Sequence, residues 1–201
     1  MGCTDLQFMA PYFRAILYRR SRYEGRGRKV LIDVGANAGD DTISITKFFQ
    51  PILQMCSGYS VPIQLISIEP SPKVFCEMTD TVSTKLIEED RRNHILLNVA
   101  LSDETGHLIF NDPGHEGGKL VGNNYTTLTK MTSGELEYYS NCKFKEGEFR
   151  NMSIDDSRKT TVPTYTLDLL VSSLEGHDLG RVKLDEEIFV VKIDTEGIVK
   201  F

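Results

Sequence analysis

The sequence lacks the features that mark membrane and secreted proteins. No stretch of its 201 residues approaches the roughly 18 consecutive apolar residues of a membrane-spanning helix. The chain does not open with a basic start followed by an apolar run, so no signal peptide is predicted. We therefore expect no membrane span.

Patterns typical of metal sites and disulfide frameworks are also missing. The four cysteines stand far apart, at positions 3, 56, 76 and 142, and none belongs to a Cys-x-x-Cys pair. This spacing argues against a zinc site or a disulfide framework. Free thiols fit a reducing compartment, which predicts a cytoplasmic location. The four histidines include no His-x-x-x-His pair, so no metal site is predicted.

Positive charge is not in excess. The net charge of -6 disfavours non-specific binding to nucleic acid, and no nucleic-acid partner is expected. Basic residues crowd only the N-terminal segment, at Arg14, Arg19, Arg20, Arg22, Arg26, Arg28 and Lys29. A solvated helix face explains such a run, and contact with phosphate or lipid headgroups is the alternative.

Apolar strands and amphipathic helices alternate through the first half of the chain. The pattern predicts strands at Lys29–Val34, Ile63–Ile68 and 94–101, and helices at 40–55 and 73–88. This alternation is typical of an α/β fold with a parallel sheet and right-handed crossovers.

The remaining segments break this rhythm. Helical spacing predicts an amphipathic helix within residues 6–17, followed by a glycine-containing linker. Residues 108–110 are predicted to be a hairpin strand, and 111–161 form a polar insertion with one or two strands. Thr166 is predicted to cap a short helix, and residues 188–193 form a fourth parallel strand.

Acidic residues stand at the ends of three predicted strands, namely Asp33, Glu69 and Asp194. Ligands of open α/β sheets bind beyond the carboxyl ends of the strands, so these residues mark a candidate site. Glu69 could accept both hydroxyls of a ribose, or it could cap the helix that follows.

The glycine loop after the first strand distinguishes between cofactors. Gly35 and Gly39 permit a tight turn, but Asn37 stands where the dinucleotide pattern G-x-G-x-x-G requires glycine. Asp40 and Asp41 add negative charge at the helix start, which disfavours a pyrophosphate. A cationic sulfonium with an ammonium group would suffer no such repulsion, so a nicotinamide-dependent oxidoreductase is the weaker hypothesis.

Five motifs resemble, in order, those of FkbM-type methyltransferases. They are Asp33-Val34-Gly35-Ala36-Asn37-Ala38-Gly39, Ile68-Glu69-Pro70-Ser71-Pro72, Asn98-Val99-Ala100-Leu101-Ser102, Thr166-Leu167-Asp168 and Lys192-Ile193-Asp194-Thr195-Glu196-Gly197. The resemblance implies a Rossmann-like class I fold in which helices flank the parallel sheet, and S-adenosylmethionine as cofactor. It also implies methylation of a hydroxyl on a sugar, lipid or small metabolite.

The resemblance further implies roles for individual residues. Cofactor binding is expected of Asp33, Gly35, Ala36, Asn37, Gly39, Thr42, Glu69, Pro70, Asn98 and Ala100. Of these, Asp33 and the glycine loop would hold the methionine end, Glu69 the ribose, and residues 98–100 the adenine. Asp194 and Glu196 would be catalytic, beside the acceptor hydroxyl, although both carboxylates could instead cap the next helix.

The domain plan follows from the same motifs. Residues 1–28 are expected to be a helix with a basic linker, and residues 29–201 a methyltransferase domain with the insertion 111–161. Domains of this family continue beyond the Lys-Ile-Asp-x-Glu-Gly motif, so the resemblance implies that C-terminal strands are missing. The alternative function is a non-catalytic cofactor-binding or interaction domain. The oligomeric state is not predicted.

Overall fold

A computed structural model of the chain describes Pro11 and residues 29–57, 63–111, 119–124, 159–174 and 187–193. These residues form eight strands and four helices. The strands are β1 (Lys29–Val34), β2 (Ile63–Ile68), β3 (His94–Leu97), β4 (Ala100–Leu101), β5 (Gly106–Asn111), β6 (Lys119–Asn124), β7 (Lys159–Tyr165) and β8 (Glu187–Ile193). The helices are α1 (Asp40–Ser57), α2 (Pro72–Lys85), α3 (Glu88–Arg91) and α4 (Leu167–Leu174).

The first sheet has the order β3-β2-β1-β8, and all its pairings are parallel. Every residue of β1 and β2 is buried, as expected for strands covered on both faces. The register places Asp33 opposite Ser67 on one side and opposite Lys192 on the other. The predicted parallel sheet and its fourth strand are confirmed.

Helices cover both faces of this sheet. On one face, α4 places Leu170 and Leu174 in a core cluster with alternate residues of β1. On the other face, α1 and α2 form a second cluster that includes Ile43, Phe75 and Met78. Neighbouring residues of one strand point to opposite faces, so the sheet supplies side chains to both sides. The predicted α/β fold is confirmed.

Local sequence explains where the helices begin. Asp40 and Asp41 occupy the first turn of α1, where negative charge is favourable. Ser71 caps α2 by accepting a hydrogen bond from Val74 N at 3.2 Å, and Pro72 follows it. Thr166 Oγ1 accepts from Leu169 N at 3.3 Å, which confirms the predicted cap of α4.

The prediction of one strand over residues 94–101 is wrong. This segment forms β3, which pairs with β2 in the first sheet, and β4, which pairs with β7 in the second. Between them, the Asn98 amide donates to the carbonyl oxygens of Glu69 and Pro70, at 2.9 and 3.0 Å. The chain leaves the first sheet at these contacts.

The second sheet has the order β4-β7-β5-β6. Its strand β5 pairs antiparallel with both β6 and β7, which confirms a hairpin strand over residues 108–110. Strand β6 lies in the region predicted to be a polar insertion.

Three further expectations concern the cysteines, a membrane-spanning helix and the N-terminal segment. Cys76, buried in α2, is disulfide-bonded, so the expectation of free thiols is wrong for this residue. None of the described helices is long and apolar enough to cross a membrane. The helix predicted within residues 6–17 falls, except for Pro11, outside the described residues.

Candidate functional site

The loop between β1 and α1 is fastened to the end of β2. Gly35 N and Ala36 N both donate to Ile68 O, each at 3.0 Å. Gly35, Asn37 and Gly39 adopt positive φ angles of 71°, 50° and 88°. Glycine and asparagine tolerate this left-handed conformation best, which explains their positions.

Gly39 also lets the loop pack closely on α2. A Cβ atom at this position would lie 3.0 Å from Met78 Cγ. A side chain would therefore meet both an unfavourable φ and a buried neighbour. The loop conformation and its packing on α2 depend on the same glycine.

Glu69 joins the glycine loop to the start of α2. Its Oε2 accepts a hydrogen bond from Asn37 N at 3.0 Å, and its Oε1 accepts one from Ser71 N at 2.8 Å. The residue is only 7% exposed. The contact with Ser71 N supports the interpretation that Glu69 orders the helix start. Each carboxylate oxygen has two lone-pair directions, so an oxygen bound to a backbone N–H can also accept from a ligand hydroxyl.

Asp33 lies at the centre of a second cluster, at the end of β1. Its Oδ2 accepts from Thr42 Oγ1 at 2.8 Å, and its Oδ1 lies 3.1 Å from Lys192 Nζ. The same Nζ lies 3.0 Å from Asp41 Oδ2. Thr42 Oγ1 is also 3.1 Å from Ser67 Oγ. Asp33 and Thr42 are fully buried, whereas the Lys192 side chain is 16% exposed.

Burial and charge act in opposite directions on the protonation of this cluster. Burial raises the pKa of Asp33 above its ordinary value, and Lys192 and Thr42 offset only part of that rise. Burial alone would lower the pKa of Lys192, but the attraction of Asp33 and Asp41 outweighs it, so this pKa is raised. Lys192 is therefore cationic at neutral pH.

The acidic residues at the start of α1 are paired with lysines that are distant in the sequence. Asp40 Oδ1 lies 2.6 Å from Lys85 Nζ, and Asp41 is paired with Lys192. The two lysines thus offset the charges of both aspartates in the first turn of α1. The repulsion expected for a pyrophosphate is correspondingly weaker.

The structure brings most of the predicted cofactor residues together. Gly35 N and Ala36 N donate to Ile68 O, and Asn37 N donates to the Glu69 carboxylate. The Asn98 side chain donates to the carbonyl oxygens of Glu69 and Pro70. Asp33 and Thr42 contact each other.

Of the predicted site residues, one lies in the second sheet and two lie outside the described residues. Ala100 opens β4 in the second sheet, where it pairs with Thr164. Asp194 and Glu196 lie outside the described residues. Asp194 follows Ile193, whose register partner in β1 is Val34.

Lys192 is the site residue that sequence reasoning missed. A usable signal was present, because Lys192 is the only charged residue among residues 188–193, within an otherwise apolar strand. A lone cation in an apolar strand is expected to pair with an anionic group. The strand register supplies that partner, since Asp33 stands directly opposite.

A parallel sheet with helices on both faces and a glycine loop after its first strand defines a Rossmann-like α/β protein. The family model described as the methyltransferase FkbM domain matches residues 33–198, and the chain belongs to this family. It is therefore a member of a methyltransferase family. Comparisons with curated proteins and with solved structures found no match.

Proposed function

We propose that this protein is an S-adenosylmethionine-dependent methyltransferase that methylates a hydroxyl group of a sugar, lipid or small metabolite. The observation that carries the proposal is the buried Glu69 carboxylate beside the left-handed glycine loop. Membership in the FkbM family supports methyl transfer as the type of reaction.

The hydrogen-bonding groups at this sheet edge would fit such a cofactor. Glu69 is held by two backbone N–H groups, which would keep its carboxylate in one position for the ribose hydroxyls. The loop from Gly35 to Gly39 carries only small side chains apart from Asn37, so a ligand's amino-acid end can approach its backbone. Asn98 keeps the Glu69–Pro70 backbone in place, and residues 98–100 would border the adenine.

The reaction requires alignment and a proton acceptor. When bound, the cofactor supplies an electrophilic methyl group. The fixed loop and Glu69 would hold the nucleoside in one orientation, and alignment contributes much of the rate in such displacements. Asp194 and Glu196 would orient the acceptor hydroxyl and take its proton. Asp194 follows β8 at the sheet edge where β1 continues into the glycine loop.

The domain plan belongs to the same proposal. Residues 29–201 would form the methyltransferase domain, preceded by the basic segment 1–28. The insertion 111–161 would select the acceptor, since specificity resides in segments added to a common fold.

Calorimetric titration of S-adenosylmethionine into the Glu69→Gln variant tests the proposal. We expect the dissociation constant to rise about 10- to 100-fold, because a neutral amide loses charge-assisted hydrogen bonds to the ribose. Glu77→Gln is the matched control, since Glu77 is exposed on α2. Near-ultraviolet circular dichroism verifies that both variants are folded. Equal affinity of the wild type and Glu69→Gln would contradict the proposed site.

A further inference from the structure

We propose that Lys192 determines the specificity of the cofactor site for a ligand whose amino-acid end carries a carboxylate. This inference rests on the proposed function and assigns a role to a residue that the motif analysis left without one. Lys192 would act as a specificity-determining cation beside the glycine loop.

The position of Lys192 ties together both ends of the loop. Asp33 comes two residues before Gly35, and Asp41 comes two residues after Gly39. Lys192 Nζ lies 3.1 Å from the first carboxylate and 3.0 Å from the second. One ammonium group therefore bridges the segments that enter and leave the loop.

Exposure distinguishes Lys192 from its partner Asp33. The Asp33 side chain is fully buried, with Thr42 on one oxygen and Lys192 on the other. A ligand cannot contact this carboxylate without displacing a neighbour. Lys192 and Asp41 keep 16% and 27% of their side chains exposed. A ligand in the loop would thus meet these two groups, and Asp33 would act through Lys192.

Charge balance then determines which amino-acid end the site accepts. Lys192 is the cation paired with both Asp33 and Asp41, and its removal would leave the partly exposed Asp41 carboxylate without this partner. An ammonium group on the ligand is attracted to Asp41 in both cases. A carboxylate on the ligand is repelled by Asp41 unless Lys192 compensates that charge. S-adenosylmethionine carries both groups, whereas its decarboxylated form keeps the sulfonium and the ammonium and lacks the carboxylate.

The test compares these two ligands by calorimetric titration on the full chain. For Lys192→Met we expect the dissociation constant of S-adenosylmethionine to rise at least about tenfold, while that of the decarboxylated form stays equal or falls. Lys192→Arg restores the cation and is expected to recover the preference. Lys85→Met is the matched control, because Lys85 pairs with Asp40 at the exposed side of the same helix start. It should leave the affinity ratio unchanged.

A second variant keeps the test decisive if Lys192→Met does not fold. Asp41→Asn removes one negative charge and retains the pair between Lys192 and Asp33. It is expected to shift the affinity ratio in the opposite direction, toward the ligand with the carboxylate. A ratio that does not move in Asp41→Asn would overturn the inference.

Two other results separate the inference from the proposed function. Equal losses of affinity for both ligands in Lys192→Met would show that the lysine only supports the fold, and the inference would be wrong. A folded wild type that binds neither ligand would overturn the proposed function and this inference with it.

Discussion

His94 illustrates, at the scale of the residue, how burial and two partners set a protonation state. Its Nδ1 donates to Asp90 O at 2.7 Å, and its Nε2 lies 3.0 Å from Thr46 Oγ1. Burial lowers the pKa of His94, and the nearby Asp90 offsets only part of this effect. The folded protein therefore holds this imidazole neutral at pH values where an exposed histidine has gained a proton.

The free energy of unfolding should consequently depend on pH through His94. In the unfolded chain the histidine pKa returns to about 6.5, so below that pH the unfolded state binds more protons than the folded state. Stability is then lost as the pH falls from about 6.5 through the lower folded pKa of His94. Urea unfolding at a series of pH values measures the slope, and His94→Gln should make it shallower. An identical slope in the variant would show that other groups cause it.

The start of α2 depends partly on local sequence and partly on residues that are distant in the chain. The start of this helix after the Pro-Ser-Pro segment and its apolar face follow from local sequence. The contact between Glu69 and Asn37 N spans 32 positions of the chain and has no local signal. The helix was therefore predictable, whereas its connection to the glycine loop was not.

Replacing the cap of α2 should destabilise the protein by a modest amount. We expect Ser71→Ala to lower the free energy of unfolding by about 1 kcal/mol, because Val74 N loses its side-chain acceptor. Ser83→Ala is the control within the same helix, since Ser83 is exposed and its hydroxyl donates to Asp80 O. The control should change stability by less than about 0.5 kcal/mol. Equal effects of the two substitutions, measured by urea unfolding, would refute the role of the cap.

The end of strand β3 could not be predicted from the sequence. Residues 94–101 form one nearly continuous apolar run, and nothing in the run signals an interruption except Asn98. The interruption depends on carbonyl groups 28 and 29 positions away in the chain. Long-range pairing of this kind determines the boundaries of strands more than local propensity does.

At the scale of the whole molecule, the candidate site lies where the winding of the first sheet reverses. From β1 the chain passes to β2 and β3 on one side, and β8 then pairs with β1 on the other side. Ligands of doubly wound sheets bind at this reversal, beyond the carboxyl ends of the strands. The glycine loop follows β1, and Lys192 lies near the end of β8.

The parallel strands were predictable because each is a short apolar run, and glycines follow the first of them at the candidate site. The second sheet was less predictable, since β6 has the sequence KLVGNN, which has few apolar residues and no clear alternation. Asn98 was expected beside the adenine, but its side chain also holds the backbone under Glu69, a role that only the folded chain reveals.

The most direct test of the central claim is a calorimetric titration of S-adenosylmethionine into the full chain, with reduced nicotinamide adenine dinucleotide as the comparison ligand. We predict saturable binding of S-adenosylmethionine at one site and no binding of the dinucleotide. Binding of the dinucleotide by a folded sample that does not bind S-adenosylmethionine would contradict the account.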